Sequence, residues 1–98
     1  MTTTARNRVT AVTADSLVTS GSGILERLIF SANGTVTAGV ITVYDNTAES
    51  GTVIWRGTIQ VATAPVTVFI GADYFTGIYV GYDGTIANVA TSVVYRPA

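Results

Sequence analysis

The sequence predicts an all-β protein, a single small β-sandwich or jelly roll of about six to eight strands with an extended N-terminal arm. Threonine and valine are the commonest residues, while the good helix former leucine occurs only three times. β-Branched residues favour strands over helices. Apolar residues alternate with polar ones along several short segments, and turns rich in glycine, asparagine or aspartate separate these segments. The 98 residues are enough for one domain with its own core.

The composition excludes several classes of function. Charged residues make up 11% of the chain, against about 25% in an ordinary soluble domain. The chain contains no cysteine and no histidine, so it lacks thiolate and imidazole metal ligands and the usual general base. Its five cationic residues are all arginines, and they are scattered along the sequence. Because phosphate binding needs a basic patch, we expect no nucleic acid partner.

The hydropathy pattern predicts no membrane segment. Mean hydropathy is +0.47, but no charge-free stretch provides the ~20 apolar residues that a membrane helix requires. The first 16 residues contain no apolar core of the kind found in a secretory signal. We therefore expect neither a membrane partner nor secretion.

The N-terminal part of the chain is predicted to be an arm over residues 1–22, attached to a sandwich domain over residues 23–98. The arm is rich in Thr, Ser and Ala, and the Ser-Gly-Ser-Gly sequence at 20–23 is a plausible hinge. Its short alternating pieces, at 9–13 and 17–19, are suited to pairing with an exposed sheet edge. We therefore expect the arm to attach the protein to a neighbouring subunit or to a larger particle. The candidate contact residues in it are Arg6, Arg8, Val9, Val12 and Leu17.

The first predicted strand of the domain covers residues 24–31. Its apolar residues have a spacing that also fits one helical face, but the segment is only about two helical turns long and its surroundings are β-like. A strand is therefore predicted, followed by a glycine-containing loop at 31–39. Five more strands are predicted at 40–46, 52–61, 66–71, 78–82 and 89–96. They are joined by turns at 47–51 and at Asp83-Gly84, and by a loop at 72–77.

Residues 52–61 alternate almost without fault. Val53, Trp55, Gly57 and Ile59 fall on one side of the predicted strand. Trp55 is therefore predicted to lie in the core.

The acidic residues predict no catalytic site. Four of the six lie in or beside predicted turns, where Asp is favoured by local hydrogen bonds to the backbone. A pair of carboxylates for glycoside hydrolysis is therefore the weaker interpretation. Asp45, Asn46 and Glu49 could offer oxygen ligands to calcium, but their spacing matches no EF-hand. We predict no catalytic, metal-binding or cofactor-binding residues. The sequon Asn33-Gly34-Thr35 is interpreted as a turn.

Two adjacent aromatic residues in a predicted loop, Tyr74 and Phe75, are the remaining candidates for contacts. Tyr and Phe are enriched at the centres of protein interfaces. The favoured interpretation, however, is that they close the open end of the sandwich.

The scarcity of charge predicts assembly. On the outward faces of the last two predicted strands lie small or apolar residues, including Tyr79, Gly81, Ala90 and Val94. Exposed sheet edges are usually protected by lysine or other charges, and this chain has no lysine. Obligate interfaces are apolar and poor in charge. We therefore expect other subunits to cover part of this surface.

Three stretches, GSGILERLIF, VITVYDNTAESGTVIW and the closing VVYR, resemble a group of small β-rich proteins encoded among the structural genes of tailed bacteriophages. The resemblance spans roughly residues 20–96. The matching positions are Gly23, Tyr44, Asp45, Gly51, Val94, Tyr95 and Arg96.

The resemblance implies a virion component without enzyme activity, assembled in the host cytoplasm. Capsid decoration (cement) proteins, head-fibre proteins and tail accessory proteins all belong to this type. The expected partners are the major capsid protein or another virion protein, and further copies of the chain. A trimer is favoured because capsid lattices offer local threefold axes.

A different class of function stays open. β-Sandwiches often carry receptor or glycan sites, which combine exposed aromatic residues with convergent polar groups. Asp73, Tyr74, Phe75 and Tyr82 are the residues that would supply such a site. A small hydrolase is disfavoured because histidine and cysteine are absent.

Overall fold

The computed structural model describes residues 6–60 and 65–98, which form eight strands in two four-stranded sheets. The strands are β1 (Arg8–Val12), β2 (Ser16–Ser20), β3 (Gly23–Thr37), β4 (Gly39–Asp45), β5 (Thr52–Ile59), β6 (Val66–Tyr74), β7 (Gly77–Tyr82) and β8 (Ala87–Pro97). The predicted all-β sandwich is confirmed. None of the described residues lies in a helix long and apolar enough to cross a membrane.

The strand order identifies the jelly-roll arrangement. Sheet A has the order β1-β8-β3-β6 and sheet B the order β2-β7-β4-β5, and all neighbouring strands are antiparallel. Strand β1 pairs with β8, β2 with β7, β3 with β6 and β4 with β5. The chain is therefore one long antiparallel hairpin wound into two layers, which is how a jelly roll is built.

The N-terminal arm predicted over residues 1–22 is part of the sandwich from Arg8 onward. Strand β1 pairs with β8 along its whole length, and β2 pairs with β7. The boundary expected at residue 22 therefore does not divide the described chain, because β1 and β2 complete the sheets to which the later strands belong. The first five residues of the predicted arm lie outside the described residues.

The core lies between the two sheets and is built from inward-facing residues of every strand from β3 to β8, with Val12 from β1. The largest fully buried side chains include Leu25, Leu28, Phe30, Ile41 and Tyr74. Strand β8 alternates as expected for a strand with one buried face, because Val89, Thr91, Val93 and Tyr95 all face inward.

The helix-like spacing near the start of the domain results from a β-bulge. Strand β3 has one extra residue, Glu26, between the pairs that Leu25 and Arg27 make with β8. The bulge changes the alternation, so Leu25 and Leu28 both face the core although they are three residues apart. The strand prediction for this segment is confirmed.

Two predicted loops are too long. Strand β3 continues through most of the loop predicted at 31–39. Ala32 is opposite Val89 and Thr37 is opposite Ala87, and the register is irregular between these two pairs. The sequon interpreted as a turn therefore lies within β3. Likewise, β6 extends to Tyr74, because its last residues pair with the start of β3.

A second bulge corrects the orientation predicted for the start of β5. Val43 is opposite Trp55 and Tyr44 is opposite Val53, so Ile54 is an extra residue. Val53 is consequently exposed, and Ile54 packs partly against the core instead. Trp55 is only half-buried, stacking on Phe30 with ring centroids 5.4 Å apart. It borders the core and is not at its centre.

A partly buried hydroxyl joins the two sheets. The Tyr82 hydroxyl of β7 lies 2.6 Å from the Thr91 hydroxyl and 3.0 Å from the carbonyl oxygens of Val12 and Val89. In addition, the Asp15 carboxylate accepts a hydrogen bond from the Tyr82 amide at 2.6 Å. The N-terminal strands are thus tied to the rest of the sandwich by polar bonds as well as by packing.

We predict that a chain beginning at Ser22 will not fold cooperatively. It lacks β1 and β2, which leaves three strands in each sheet, removes Val12 from the core and leaves Tyr82 without two of its partners. We expect the loss to be comparable with the ~5–15 kcal/mol by which small domains are stable. Thermal unfolding followed by circular dichroism measures it. A chain beginning at Arg6 keeps all eight strands and is the control; a sharp transition of the shorter chain at the control's midpoint would contradict the prediction.

Candidate functional site

The outer face of sheet A carries a row of four cross-strand neighbours, which we call the Phe69 row. Val9 of β1 is opposite Val94 of β8, Val94 is opposite Arg27 of β3, and Arg27 is opposite Phe69 of β6. The row points away from the core, because the adjacent Leu28 faces inward and successive residues of a strand alternate.

Phe69 is the most exposed large apolar side chain among the described residues, with 80% of its surface accessible. Val9 is 64% exposed, while Val94 is buried between its neighbours in the row. The Phe69 row carries one charge, on Arg27, and the next row across the face carries none. This next row consists of Ala11, Ser92, Ile29 and Thr67. Together the two rows form a largely apolar surface on the solvent side of sheet A, interrupted by Arg27 and by the hydroxyl groups of Ser92 and Thr67.

Most charged groups of this face lie at one end, and Arg27 lies within the Phe69 row. Glu26 forms an ion pair with Arg96 at 3.4 Å, and both side chains are partly exposed. Such surface pairs contribute only about 0–1 kcal/mol. Arg27, in the Phe69 row, and the exposed Asp73 of β6 make no ion pair with any described residue.

The outer face of sheet B has a similar apolar row but is partly covered by its own chain. Its cross-strand neighbours are Leu17, Tyr79, Tyr44 and Val53. The turn between β4 and β5 lies over the neighbouring part of the face, since a Cβ atom added at Gly81 would come within 2.8 Å of the Glu49 carboxylate. Gly81 is buried there, and so is its cross-strand neighbour Thr42.

Asp45, at the end of β4, fixes the turn between β6 and β7. Its Oδ1 atom accepts hydrogen bonds from the amides of Thr76 at 2.8 Å, Phe75 at 3.0 Å and Gly77 at 3.3 Å. Partial burial alone would raise the pKa of Asp45, but these three hydrogen bonds outweigh it and hold the pKa below its ordinary value of 3.8. The ionised carboxylate therefore holds in place the turn that displays Phe75.

The residues considered for calcium are engaged separately. Asp45 accepts the three amides, the Asn46 side chain donates to the Ser50 carbonyl at 2.8 Å, and Glu49 lies over Gly81. Within residues 6–60 and 65–98, no group of three or more acidic side chains converges on one point.

An open groove of about 440 Å³ lies at the end of the sandwich that includes the β6–β7 turn. Its charged side chains are Asp73 and Arg96, and the exposed Phe75 borders it. Tyr74 lies beneath it, packed against Gly23, and the Tyr74 hydroxyl has no hydrogen-bond partner. Burial raises the pKa of this phenol.

The structure separates the predicted contact residues into two groups. Five of them are exposed and available for contacts: Arg6, Arg8, Val9, Leu17 and Phe75. Val12 and Tyr74 are buried in the core, so the prediction that they make external contacts is wrong. Val12 is buried because β1 pairs with β8, and Tyr74 because it lies opposite Gly23, which leaves room for its ring.

Two further corrections concern aromatic residues. Tyr82, expected to supply a glycan site, does not line the groove; its hydroxyl is bound within the sandwich. Phe69 was not among the predicted contact residues. The alternation of Val66, Val68 and Ile70 on one side of the strand was the signal that places Phe69 on the other.

Comparison of the chain with protein-family models, with curated proteins and with solved structures finds no match.

We predict that Asp45→Asn lowers the free energy of unfolding by about 1–2 kcal/mol, because a neutral amide oxygen accepts the three backbone hydrogen bonds less strongly than a carboxylate. Chemical denaturation at neutral pH measures the change. Glu49→Gln is the matched control: Glu49 accepts none of the backbone hydrogen bonds that Asp45 accepts from the β6–β7 turn, and we expect its replacement to alter stability by less than about 0.5 kcal/mol.

The effect of Asp45→Asn also depends on pH. Because the pKa of Asp45 is lower in the folded chain, its ionisation stabilises the fold above pH 3.8, and this contribution is lost as the pH falls through the folded-state value. The stability difference between the wild type and the variant should therefore shrink below about pH 4. A difference that stays constant from pH 7 to pH 2 would contradict this role.

Proposed function

We propose that this chain is a non-enzymatic structural protein whose function is assembly. In this proposal it forms a homo-oligomer, with a trimer favoured, and decorates the capsid of a tailed bacteriophage through contacts with the major capsid protein. The observation that carries the proposal is the exposed apolar surface around the Phe69 row, on a chain that contains no lysine.

The physical argument is that this surface does not serve the folded monomer. Phe69 and Val9 lie outside the core, so their exposure to water gains the single chain nothing. Soluble monomers rarely expose contiguous apolar patches, and large ones mark sites of association. Burying such surface is favourable in proportion to its apolar area, by roughly 25 cal/mol per Å². Assembly is the simplest way for this chain to bury it.

The placement on a phage particle is supported by the sequence resemblance and, as an analogy, by the fold. Jelly rolls occur in viral capsid domains, although they also occur in lectins and in enzymes of the cupin type. A fold alone does not determine function. Arg6 and Arg8 are exposed at the start of β1, where they are available to an acidic shell surface.

We predict that the full chain is an oligomer at micromolar concentration. Light scattering coupled to size-exclusion chromatography should give about three times the 10.2 kDa of one chain. A monodisperse 10.2 kDa species at every concentration up to about 100 μM would overturn the proposal. The chain would then remain a monomer with its apolar face exposed to water.

The groove at the end of the sandwich favours a second candidate, a receptor- or glycan-binding module. Asp73, Arg96 and Phe75 converge there, and a groove of about 440 Å³ is within the usual size range of ligand sites. An aromatic ring beside charged hydrogen-bonding groups suits a sugar. The identity of the neighbouring genes separates the two candidates: capsid and portal genes support decoration, and tail-fibre genes support the adhesin.

For this second candidate we predict that Phe75→Ser abolishes binding to a panel of bacterial surface glycans while the oligomer mass is unchanged. Phe75 is 72% exposed, so its replacement leaves the core intact. Thr76→Ser, in the same turn, is the control and should still bind. No binding by the wild type to any glycan of the panel would leave capsid decoration as the better proposal.

A further inference from the structure

We infer that copies of this chain bind one another through the outer face of sheet A, with the Phe69 row at the centre of the contact. The inference rests on the proposed function, because it assigns a surface to the homo-oligomer proposed there. The occupant of the face is a further copy of the same chain.

The outer faces of sheets A and B differ in how much of their apolar surface the chain itself covers. On sheet B, the β4–β5 turn covers Gly81, and the exposed members of the apolar row, Leu17 and Val53, are each about half accessible at 49% and 47%. On sheet A, Phe69 projects with 80% of its surface exposed. Aromatic residues projecting from a face are typical anchors of an interface. Sheet A is therefore the face that lacks a cover.

The charges on sheet A complement one another between copies. Arg27 stands within the Phe69 row and Asp73 lies farther along β6, on the same outer face. Neither forms an ion pair with the described residues of its own chain. Two such faces in contact can bring the Arg27 of one copy opposite the Asp73 of another. Both charges are then compensated in a surface from which water is excluded.

The size of the face fits a stable contact. Four strands at ~4.8 Å spacing span about 15 Å, and a strand of the length of β8 is about 36 Å long. The face therefore has a projected area on the order of 500 Å², which side chains enlarge toward the ~800 Å² per partner of a standard interface.

The geometry also fits the favoured trimer. Three copies whose sheet A faces point toward one threefold axis form a closed ring, in which each contact joins two different parts of that face. Stacking sheet A of one copy on sheet B of the next would place the contacts on opposite sides of a body only 17 Å thick along its shortest axis. Such a stack does not close, and it leads to open filaments.

The first test compares two exposed phenylalanines. Phe69→Ser should raise the dissociation constant of the oligomer at least about 30-fold, as expected for an interface anchor, so that light scattering gives the monomer mass at low micromolar concentration. Phe75→Ser also leaves the core intact, but Phe75 lies in the β6–β7 turn. This variant should keep the oligomer mass of the wild type. Circular dichroism establishes that both variants are folded.

The second test uses charge reversal and does not depend on removing a large side chain. Arg27→Asp and Asp73→Arg should each weaken the oligomer, because each places like charges opposite one another. The double variant Arg27→Asp/Asp73→Arg should recover most of the wild-type dissociation constant. Recovery in the double variant supports a direct pair between copies.

The outcomes separate this inference from the proposed function. If the wild type is a monomer, both fail. If the wild type is an oligomer but Phe69→Ser and the charge-reversed variants leave its mass unchanged, the inference is overturned and assembly stands. Dissociation caused instead by Leu17→Ser or Val53→Ser would place the contact on sheet B and would equally overturn it.

Discussion

The pairing of β8 with both β1 and β3 is the constraint on which the rest of the structure depends. It joins the last strand of the chain to the first, and it makes β8 a central strand although it is the last in sequence. Residues that would otherwise form a loose N-terminal arm become the edge of sheet A. The same pairing aligns Val9 with Val94 and Arg27. The Phe69 row is therefore a product of long-range strand order, and no single segment contains it.

The sequence predicts the strands of this fold well because alternation is a local property. Alternation identifies the strands at residues 40–46, 78–82 and 89–96. The β-like surroundings of β3 identify it as a strand despite its helix-like spacing. Local patterns do not reveal the extra residues at Glu26 and Ile54, since a bulge is defined by the partner strand. For the same reason the burial of Val12 and Tyr74 escaped prediction: each depends on a partner strand that is distant in sequence. The exposure of Phe69, by contrast, was readable from the alternation of β6 itself.

The two outer faces show two ways of treating an apolar sheet surface. On sheet B, the β4–β5 turn supplies a cover from within the chain, and Asp45 at the start of this turn also fixes the β6–β7 turn through three amides. Sheet A has a long outer face that no described loop crosses in the same way. The outer face of sheet B is thus partly covered within the folded chain, while the outer face of sheet A is available for a contact with another chain.

This division separates the residues that maintain the fold from those that we assign to assembly. Leu28 and Val93 face the core, and the neighbouring Arg27 and Val94 face outward from the same strands. Because successive residues point to opposite sides, one strand can hold the sandwich together and present a contact surface at once. Replacing Phe69 removes nothing from the core, so its effect on a monomer should be small. An apolar ring kept in water at such a position, without a stabilising role inside the chain, is best explained by a partner that covers it.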